Sequence, residues 1–141
     1  NLNDGLARFA DNSFDTVVMA RALQAVKAPD QLLIDMLRVA KEGIVTFPNF
    51  AYWQNRMYLG IKGMMPISDT LPHEWYNTPN IHLCTFKDFE QLCDKNNIRI
   101  LDTVAISDKP NPKLPPVLLN HMVKRIPNLL ADVAVYHIAK Y

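Results

Sequence analysis

Residues 14–47 indicate the fold most directly, and they read FDTVVMARALQAVKAPDQLLIDMLRVAKEGIVTF. The runs at the two ends, 14–20 and 43–47, are compact, apolar and rich in β-branched residues, which is typical of strands buried on both faces. Between them, Pro29 opens a segment whose apolar residues recur at helical spacing. These apolar residues are Leu33, Met36, Leu37 and Ala40. Two strands joined by one helix predict a βαβ unit with parallel strands.

Gly43 follows the predicted helix at a position where glycine commonly ends a helix, and we therefore predict it as the C-cap. The elements predicted beyond residue 47 are, in chain order, an apolar helical stripe over residues 50–64, a long loop over 64–84, a helix that begins at Thr85, a strand over 98–106, a proline-rich link and a strand over 131–139. The long link between the last two strands suits an antiparallel strand that inserts into the sheet.

The composition is that of one ordinary globular domain. The chain has 141 residues, of which 49% are hydrophobic and 21% charged, and its net charge is +1. This small charge offers no electrostatic case for binding nucleic acid or an anionic membrane. The sequence contains no apolar run of the length that a membrane span requires, and Cys84 and Cys93 are too few for a disulfide framework. Together these features predict a cytoplasmic protein without nucleic-acid or membrane partners.

The chain begins at Asn1, without methionine, and reaches a strand almost at once. We expect the natural protein to have further sequence before residue 1, so that the first strands of the fold are missing here. The outer edge of the first visible strand is then unpaired and apolar, which favours self-association through that edge. The sequence thus predicts a homodimer, or another self-associated form, built on this edge.

Four segments resemble signatures of one protein family, the methionine biosynthesis proteins called MetW. They are Asn3-Asp4-Gly5-Leu6, Leu23-Gln24-Ala25-Val26, Phe47-Pro48-Asn49-Phe50 and Glu74-Trp75-Tyr76-Asn77-Thr78-Pro79-Asn80-Ile81-His82-Leu83-Cys84. The last is the most specific, because a connection so long and so rich in hydrogen-bonding side chains is typical of a binding loop. Residues 14–19 and 32–43 are also similar to the fourth strand and the following helix of class I S-adenosylmethionine (SAM) methyltransferases.

The resemblance implies that residues 1–141 form the C-terminal part of one α/β domain with a doubly wound, Rossmann-like class I methyltransferase fold. Residues 64–84 would be a lid-like insertion in that domain. It further implies a role in methionine biosynthesis beside MetX, the homoserine O-acyltransferase, whose activity members of the family support. The alternative is a SAM-dependent methyltransferase that acts on a small molecule. Gln24 and Ala25 stand where many such enzymes carry Glu and His, so the supporting role is favoured.

In such a fold SAM lies at the carboxyl ends of the strands, against a glycine-rich loop that follows the first strand. No Gly-x-Gly occurs in this chain, so the resemblance implies SAM binding by the intact protein and none by this fragment alone. The part of the site that remains would be Asn1 and Leu2 at the adenine edge, and Ala20, Arg21 and Gln24 toward the methionine end. The alternatives are a frayed terminus for the first pair and packing at a helix start for the other three.

The long loop supplies the remaining candidate side chains. His82 is the candidate for catalysis, since an imidazole can act as donor, acceptor or base near neutral pH, and the alternative is a histidine that holds the loop together. Glu74, Trp75, Tyr76 and Asn80 are predicted to join His82 in shaping a pocket for a substrate or a partner. In the competing interpretation, the two aromatic rings pin the loop onto the body of the protein.

Two further patterns concern metal binding and the second helix. His73, His82 and Cys84 match no standard zinc spacing and lack a fourth ligand, so we predict no metal site. The apolar stripe of the second helix is predicted to pack into the core, with a partner groove as the alternative because methionine-rich surfaces adapt to partners. The residues of this stripe are Phe50, Trp53, Met57, Ile61 and Met64.

Three side chains with reactive chemistry have simple structural interpretations. His121 lies in a variable segment and is predicted to be exposed. His137 alternates with Val133 and Val135 and is predicted to be a buried strand residue. Cys93 falls on the apolar face of the helix that begins at Thr85 and is predicted to be a small core residue.

Overall fold

The computed structural model of the chain describes residues 6–107 and 115–141, and in this part of the chain four strands form one mixed sheet. The strands are β1 (Phe14–Ala20), β2 (Ala40–Pro48), β3 (Ile98–Ile106) and β4 (Val133–Lys140). The helices are α1 (Pro29–Val39), α2 (Trp53–Lys62), α3 (Phe86–Lys95), α4 (Pro116–Arg125) and α5 (Pro127–Leu130). A single 3₁₀ turn, Leu23–Ala25, follows β1. No described helix has the length and apolar character needed to cross a membrane.

The predicted βαβ unit is confirmed. β1 and β2 lie side by side and parallel, with Phe14 opposite Ala40 at their first paired positions. α1 connects them and begins at Pro29, whose fixed φ suits the first turn of a helix. Leu33 and Met36 on its apolar face are fully buried, so the helix covers the parallel pair as its spacing predicts.

The strand order in the sheet is β1-β2-β4-β3, so the last strand lies between two earlier ones. β4 runs antiparallel to both neighbours, with Tyr136 opposite Val45 of β2 and Val135 opposite Val104 of β3. This arrangement confirms the predicted insertion of an antiparallel strand. β3 has the predicted bounds, because its apolar run is interrupted neither by proline nor by glycine.

Helix α3 begins at the predicted capping motif. The backbone N–H of Asp88 donates to Oγ1 of Thr85 (3.2 Å), and the backbone N–H of Thr85 donates to Oδ2 of Asp88 (3.1 Å). This reciprocal capping box satisfies two N–H groups that the first turn leaves unpaired. Phe86, Phe89 and Cys93 are buried on the inner face of the helix, which confirms the predicted face and the core position of the cysteine.

The core lies between helices α1 and α3 and one face of the sheet. Its centre is a cluster of four rings, in which the centroids of Phe89 and Tyr136 lie 4.5 Å apart and those of Phe47 and Tyr136 lie 5.9 Å apart. The Tyr136 hydroxyl donates to Oε1 of Glu90 (2.9 Å). Burial, with the nearby Glu90 carboxylate, holds the pKa of Tyr136 well above its usual range, so the hydroxyl remains a donor.

β1 is more exposed than its sequence predicts. The expectation that both of its faces are buried is wrong, because Met19 is its single buried residue and Val18 is 62% exposed. Among the described residues, β1 pairs with β2 alone and forms an edge of the sheet. Val18 points to the same side of the sheet as Ile44, its partner in the register, and that side is less covered than the side that faces α1.

Gly43 does not cap α1, contrary to the prediction. The helix ends at Val39, and Ala40 already has the extended backbone of β2. Gly43 lies inside β2, where an added Cβ would stand 3.2 Å from Cγ1 of Ile138 and 3.5 Å from Cε of Met36. Glycine at this position therefore permits the close approach of α1 and β4 to the strand.

We expect Gly43→Ala to lower the free energy of unfolding by about 1 kcal/mol, because the added methyl group meets a fully buried Ile138 side chain. The matched control is Gly60→Ala in helix α2, where a Cβ would meet no atom within 4 Å. Since alanine is the better helix former, this control should gain about 0.5–1 kcal/mol. Urea unfolding of both variants tests the pair, and a gain in stability for Gly43→Ala would contradict the packing argument.

The apolar stripe of the second helix lies at the surface. Trp53, Met57 and Ile61 are all exposed, so the prediction that the stripe packs into the core is wrong. The buried residue of helix α2 is polar: Nδ2 of Asn55 donates to the backbone oxygens of Phe50 (3.3 Å) and Asn49 (3.4 Å), which precede the helix. The apolar side of the helix faces outward, and a partner surface there stays a prediction.

Of the two histidines outside the long loop, one has the predicted exposure and the other does not. His121 is exposed on α4, as predicted. His137 is half-exposed rather than buried, and its Nε2 lies 2.8 Å from Oε2 of Glu42. The burial prediction fails because His137 lies opposite Ile44 in the register, on the less covered side of the sheet.

Candidate functional site

The candidate site lies at the carboxyl ends of β1 and β2, where the two parallel strands finish at the same edge of the sheet. β1 ends at Ala20, and Arg21 follows with φ of +52°, a left-handed conformation that costs a non-glycine residue about 1–3 kcal/mol. Two hydrogen bonds hold it there, from the Arg21 backbone N–H to the carbonyl oxygen (2.9 Å) and to Oγ1 (3.1 Å) of Thr46. The chain is thereby turned sharply away from the strand at this point.

Gln24 links the ends of both strands to the long loop. Its side chain is 2% exposed, and Nε2 donates to the backbone oxygen of Pro48 (3.3 Å) at the end of β2. Its backbone oxygen accepts from the N–H groups of Ile81 (2.7 Å) and His82 (3.0 Å). These contacts are those expected of the packing alternative for Gln24. The cofactor role of Ala20, Arg21 and Gln24 stays a prediction, and Asn1 and Leu2 lie outside the described residues.

Asn49 organises the segment after β2, a role that the sequence analysis missed. Its side chain is buried, and Nδ2 donates to the backbone oxygens of Ala131 (2.8 Å) and Asn128 (3.1 Å). Its Oδ1 accepts from the backbone N–H of Ala51 (3.1 Å). Asn49 thus ties the start of α2 to the segment before β4. The signal in the sequence is the Pro-Asn pair that ends a strand, since an asparagine there can bond local backbone groups.

The long loop after α2 contains neither helix nor strand, as predicted. Its two ends are anchored, because Gly63 ends α2 with φ of +65° and the backbone N–H of Phe50 donates to the oxygen of Cys84 (3.0 Å). Within the loop, Ser68 and Leu71 exchange backbone hydrogen bonds of 3.0 and 3.1 Å. Few side chains of the loop are buried, so most of its residues are available for contact with other molecules.

The aromatic tip of the loop projects into solvent. Trp75 is 74% exposed and Tyr76 is 67% exposed, and their rings meet edge to face with centroids 5.7 Å apart. A hydrogen bond with the Glu74 side chain raises the pKa of Tyr76. The two rings therefore contact each other. They do not pin the loop to the body, contrary to the competing interpretation.

His82 lies in the anchored end of the loop. Its ring is exposed, and Nε2 lies 3.4 Å from the backbone oxygen of Lys27, ahead of α1. Together with its backbone bond to Gln24, this contact fastens the loop to the body, as the structural alternative for His82 expects. Its neighbour Asn80 donates its backbone N–H to Oγ1 of Thr78 (3.1 Å).

Two adjoining cavities lie beside the loop. The first, here called the loop cavity, has a volume of about 350 Å³. Its lining residues are Phe50, Met65, Pro66, Leu71, His73, Trp75, Thr78, Asn80, Ile81 and Leu83. The second, here called the outer cavity, lies between the end of α2 and the tip of the loop and is also lined by Glu74 and Tyr76. Trp75 and Met65 line both cavities.

The thiols near the loop are not activated nucleophiles. Cys84 and Cys93 are both free, and burial is the main cause that raises the pKa of each thiol to about 12. Both therefore remain protonated at neutral pH. Within residues 6–107 and 115–141, no group of three or more His, Cys, Asp or Glu side chains is placed to hold a metal ion.

Comparison with known sequences identifies one family. A sequence model of the family described as "Methionine biosynthesis protein MetW" matches residues 1–138. The "bifunctional methionine biosynthesis protein MetXA/MetW" of Rhodopirellula baltica is 36% identical over 136 residues. That alignment covers 96% of this chain and 21% of the relative, so the chain spans about one fifth of the relative's length.

Comparison with solved structures confirms the predicted fold. A SAM-dependent methyltransferase of Thermotoga maritima, a possible histamine N-methyltransferase, superposes with a TM-score of 0.60 at 16% identity over 94% of this chain and 59% of its own. A SAM-dependent methyltransferase of Mesorhizobium loti gives a TM-score of 0.56 at 11% identity over 94% of this chain and 64% of its own. The chain therefore has the class I methyltransferase fold over the part of that fold that it spans.

Proposed function

This chain belongs to the MetW family of methionine biosynthesis proteins, and we propose that it acts in that pathway as a binding partner that supports the homoserine O-acyltransferase MetX. One observation carries the proposal: the relative that matches 96% of this chain bears a name that joins MetXA with MetW. Joining two modules in one polypeptide gives them a high effective concentration. Where the modules are separate chains, a surface on each must supply the affinity instead.

The surface that suits this role is a recognition face made of the outward side of α2 and the tip of the loop. Its members are exposed aromatic, methionine and aliphatic side chains: Trp53, Met57, Ile61, Met64, Met65, Ile67, Trp75 and Tyr76. Positions 53, 57 and 61 lie on one side of the helix. Met64 and Met65, which follow the helix, line the outer cavity. Aromatic and methionine side chains are enriched in protein interfaces, and exposed apolar patches mark interaction sites.

SAM binding by the intact protein is part of the same proposal. The fold neighbours are described as SAM-dependent methyltransferases, and this chain covers about three fifths of each. Ala20, Arg21 and Gln24 lie at the carboxyl end of β1, where such a fold holds its cofactor. The alternative function, methyl transfer to a small molecule, is favoured by those same neighbours. Both thiols, however, stay protonated at neutral pH, and the exposed His82 ring lies 3.4 Å from a backbone oxygen.

A cytoplasmic location also belongs to this proposal. Cys84 and Cys93 are free thiols, as proteins of a reducing compartment retain them. A MetX partner would be met in that compartment.

Truncating an aromatic side chain of the recognition face is expected to weaken the binding of MetX. We expect Tyr76→Ala to weaken binding at least about 30-fold, because truncating an aromatic anchor at the centre of an interface commonly costs 2 kcal/mol or more. The matched control is Tyr141→Ala, which truncates another exposed tyrosine, outside the recognition face. Surface plasmon resonance with purified MetX measures both variants. Failure of the parent protein to bind MetX, combined with measurable methyl transfer to a small molecule, would replace this proposal with the alternative one.

The edge of β1 predicts self-association of the 141-residue chain. Strand β1 pairs on one side only among the described residues, and Phe14 and Val18 on it are exposed apolar side chains. We expect light scattering to give a mass above that of the monomer. Val18→Lys should shift the distribution toward monomer, since a charge on an edge strand opposes pairing. Val117→Lys on α4 is the control at another exposed valine, and a monomeric parent chain would contradict the prediction.

A further inference from the structure

We propose that the loop cavity is a binding site for a small neutral molecule that carries an aliphatic or thioether chain and a carbonyl group. The cavity lies against the lid-like loop and adjoins the recognition face, with which it shares Trp75 and Met65. The proposal goes beyond the partner role, because binding of such a molecule requires neither MetX nor SAM.

The size of the cavity suits a small metabolite. Its volume of about 350 Å³ lies at the lower end of the range of about 300–1,000 Å³ that is typical of small-molecule sites. At the roughly 30 Å³ that one water occupies in the liquid, the space would hold about 12 waters. A ligand with at least that many non-hydrogen atoms fits, because covalently bonded atoms lie closer together than water molecules do.

Much of the apolar wall is held in place without a ligand. Pro66 and Leu71 are buried, so the floor of the cavity is packed against the rest of the protein. The backbone bond from Phe50 to Cys84 holds the wall beside Leu83, and the bond from Ile81 to Gln24 holds the wall at Ile81. Because the site is preformed, ligand binding does not have to order the wall, and the entropic cost of binding is lower.

The side chains of the cavity wall favour a ligand with an aliphatic or thioether tail. Phe50 and Trp75 offer aromatic rings, and Met65 offers a flexible thioether that adapts to the shape of a ligand. Burial of an aliphatic group here lowers the free energy of binding, and contact between a ligand sulfur and the rings lowers it further.

The polar groups of the cavity select a neutral ligand with a carbonyl. His73, Thr78 and Asn80 line it, and because Oγ1 of Thr78 accepts the N–H of Asn80, its hydroxyl proton is left to donate. The Asn80 amide also carries donor N–H groups. None of the ten lining residues is Asp, Glu, Lys or Arg, so a full charge on the ligand would find no permanently charged partner in the wall.

Trp75 forms the exposed side of the cavity and makes the site measurable. Its ring is mostly exposed and meets the ring of Tyr76 edge to face. A ligand in the cavity would cover one side of the indole and shift its fluorescence to shorter wavelength. The chain has two tryptophans, so Trp53→Phe leaves Trp75 as the single reporter.

The experiment titrates the Trp53→Phe chain with N-acetyl-L-methionine methyl ester, a neutral probe of the proposed size with a thioether and carbonyl groups. We expect a saturable blue shift with a dissociation constant in the millimolar range or tighter. N-acetyl-L-methionine, which has the same skeleton but carries a carboxylate, should bind at least about 10-fold more weakly because its charge is unpaired in the cavity.

Two amide variants locate the site. Asn80→Ala should weaken the ester roughly 3- to 10-fold, the effect of losing one hydrogen bond. Asn77→Ala removes an exposed amide of the same loop that does not line the cavity, and it should leave the affinity unchanged. Circular dichroism checks that both variants fold, and ligand-observed NMR of the parent chain provides a second readout that does not depend on them.

The proposal is overturned by the absence of saturable binding up to the solubility of the ester, by equal affinity for ester and carboxylate, or by equal losses in the two amide variants. Its failure is distinguishable from failure of the partner role. Tyr76→Ala tests the binding of MetX, and Tyr76 does not line the loop cavity.

Discussion

Replacing Phe47 by alanine is expected to lower the free energy of unfolding by about 3–5 kcal/mol, the cost typical of removing a fully buried aromatic ring. Phe47 is 1% exposed and lies at the centre of the core, with its ring 5.2 Å from Phe89 and 6.5 Å from Phe86 between centroids. It also stacks on Tyr136 with an interplanar angle of 9°. Truncation would leave a cavity that these rings cannot close without leaving their own contacts.

The matched control is Phe14→Ala on the neighbouring strand. Phe14 is 42% exposed, and the ring contact that the structure gives it is with Phe9, at 5.3 Å. We expect this substitution to cost less than about 1 kcal/mol, as is usual for surface changes. Denaturant unfolding of both variants provides the measurement. Equal losses at the two positions would contradict the central place of Phe47 in the core.

Asn49→Ala is expected to lower the free energy of unfolding by about 2–4 kcal/mol, because it deprives several buried backbone groups of their partner at once. The carbonyl oxygens of Ala131 and Asn128 and the N–H of Ala51 all bond to this one side chain. Asn49→Asp should cost at least as much, since a carboxylate cannot donate to the two carbonyls. Hydrogen exchange at Ala51 should accelerate in the alanine variant, which removes the acceptor of its N–H.

The control for Asn49 is Asn120→Ala, which truncates an exposed asparagine on α4. It should change the free energy of unfolding by no more than about 0.5 kcal/mol, the usual range for exposed sites. The prediction for Asn49 fails if the two alanine variants unfold at the same denaturant concentration. In that event the hydrogen bonds around Asn49 would add nothing to the net stability.

The elements of this fold follow from local patterns of residues. Pro29 and the spacing of Leu33 and Met36 predict α1, and Thr85 with Asp88 predicts the start of α3. These signals are readable because a helix or strand is formed by neighbours in the chain. The order of strand, helix and strand then constrains the parallel pair, and the long link before β4 constrains the insertion of the last strand.

The errors share one physical cause. The local pattern alone assigns an environment to Gly43, the stripe of α2, Val18 and His137. Their actual environments depend on distant residues: Ile138 lies across from Gly43, Glu42 lies beside His137, and the apolar stripe of α2 is exposed in the part of the chain that the structure describes. Periodicity identifies the side of an element on which a residue lies, but it does not identify what covers that side.

For the candidate site, too, the sequence predicts one part and the tertiary structure decides the rest. The composition of residues 74–84 predicts a loop suited to recognition, because the segment has more hydrogen-bonding and aromatic side chains than a simple connection requires. The exposure of Trp75, the bridging role of Gln24, the anchoring role of Asn49 and the existence of the loop cavity were all outside the reach of that composition. Each depends on backbone groups far apart in the chain that meet once the sheet has assembled, and a residue's own identity does not encode the position of such partners.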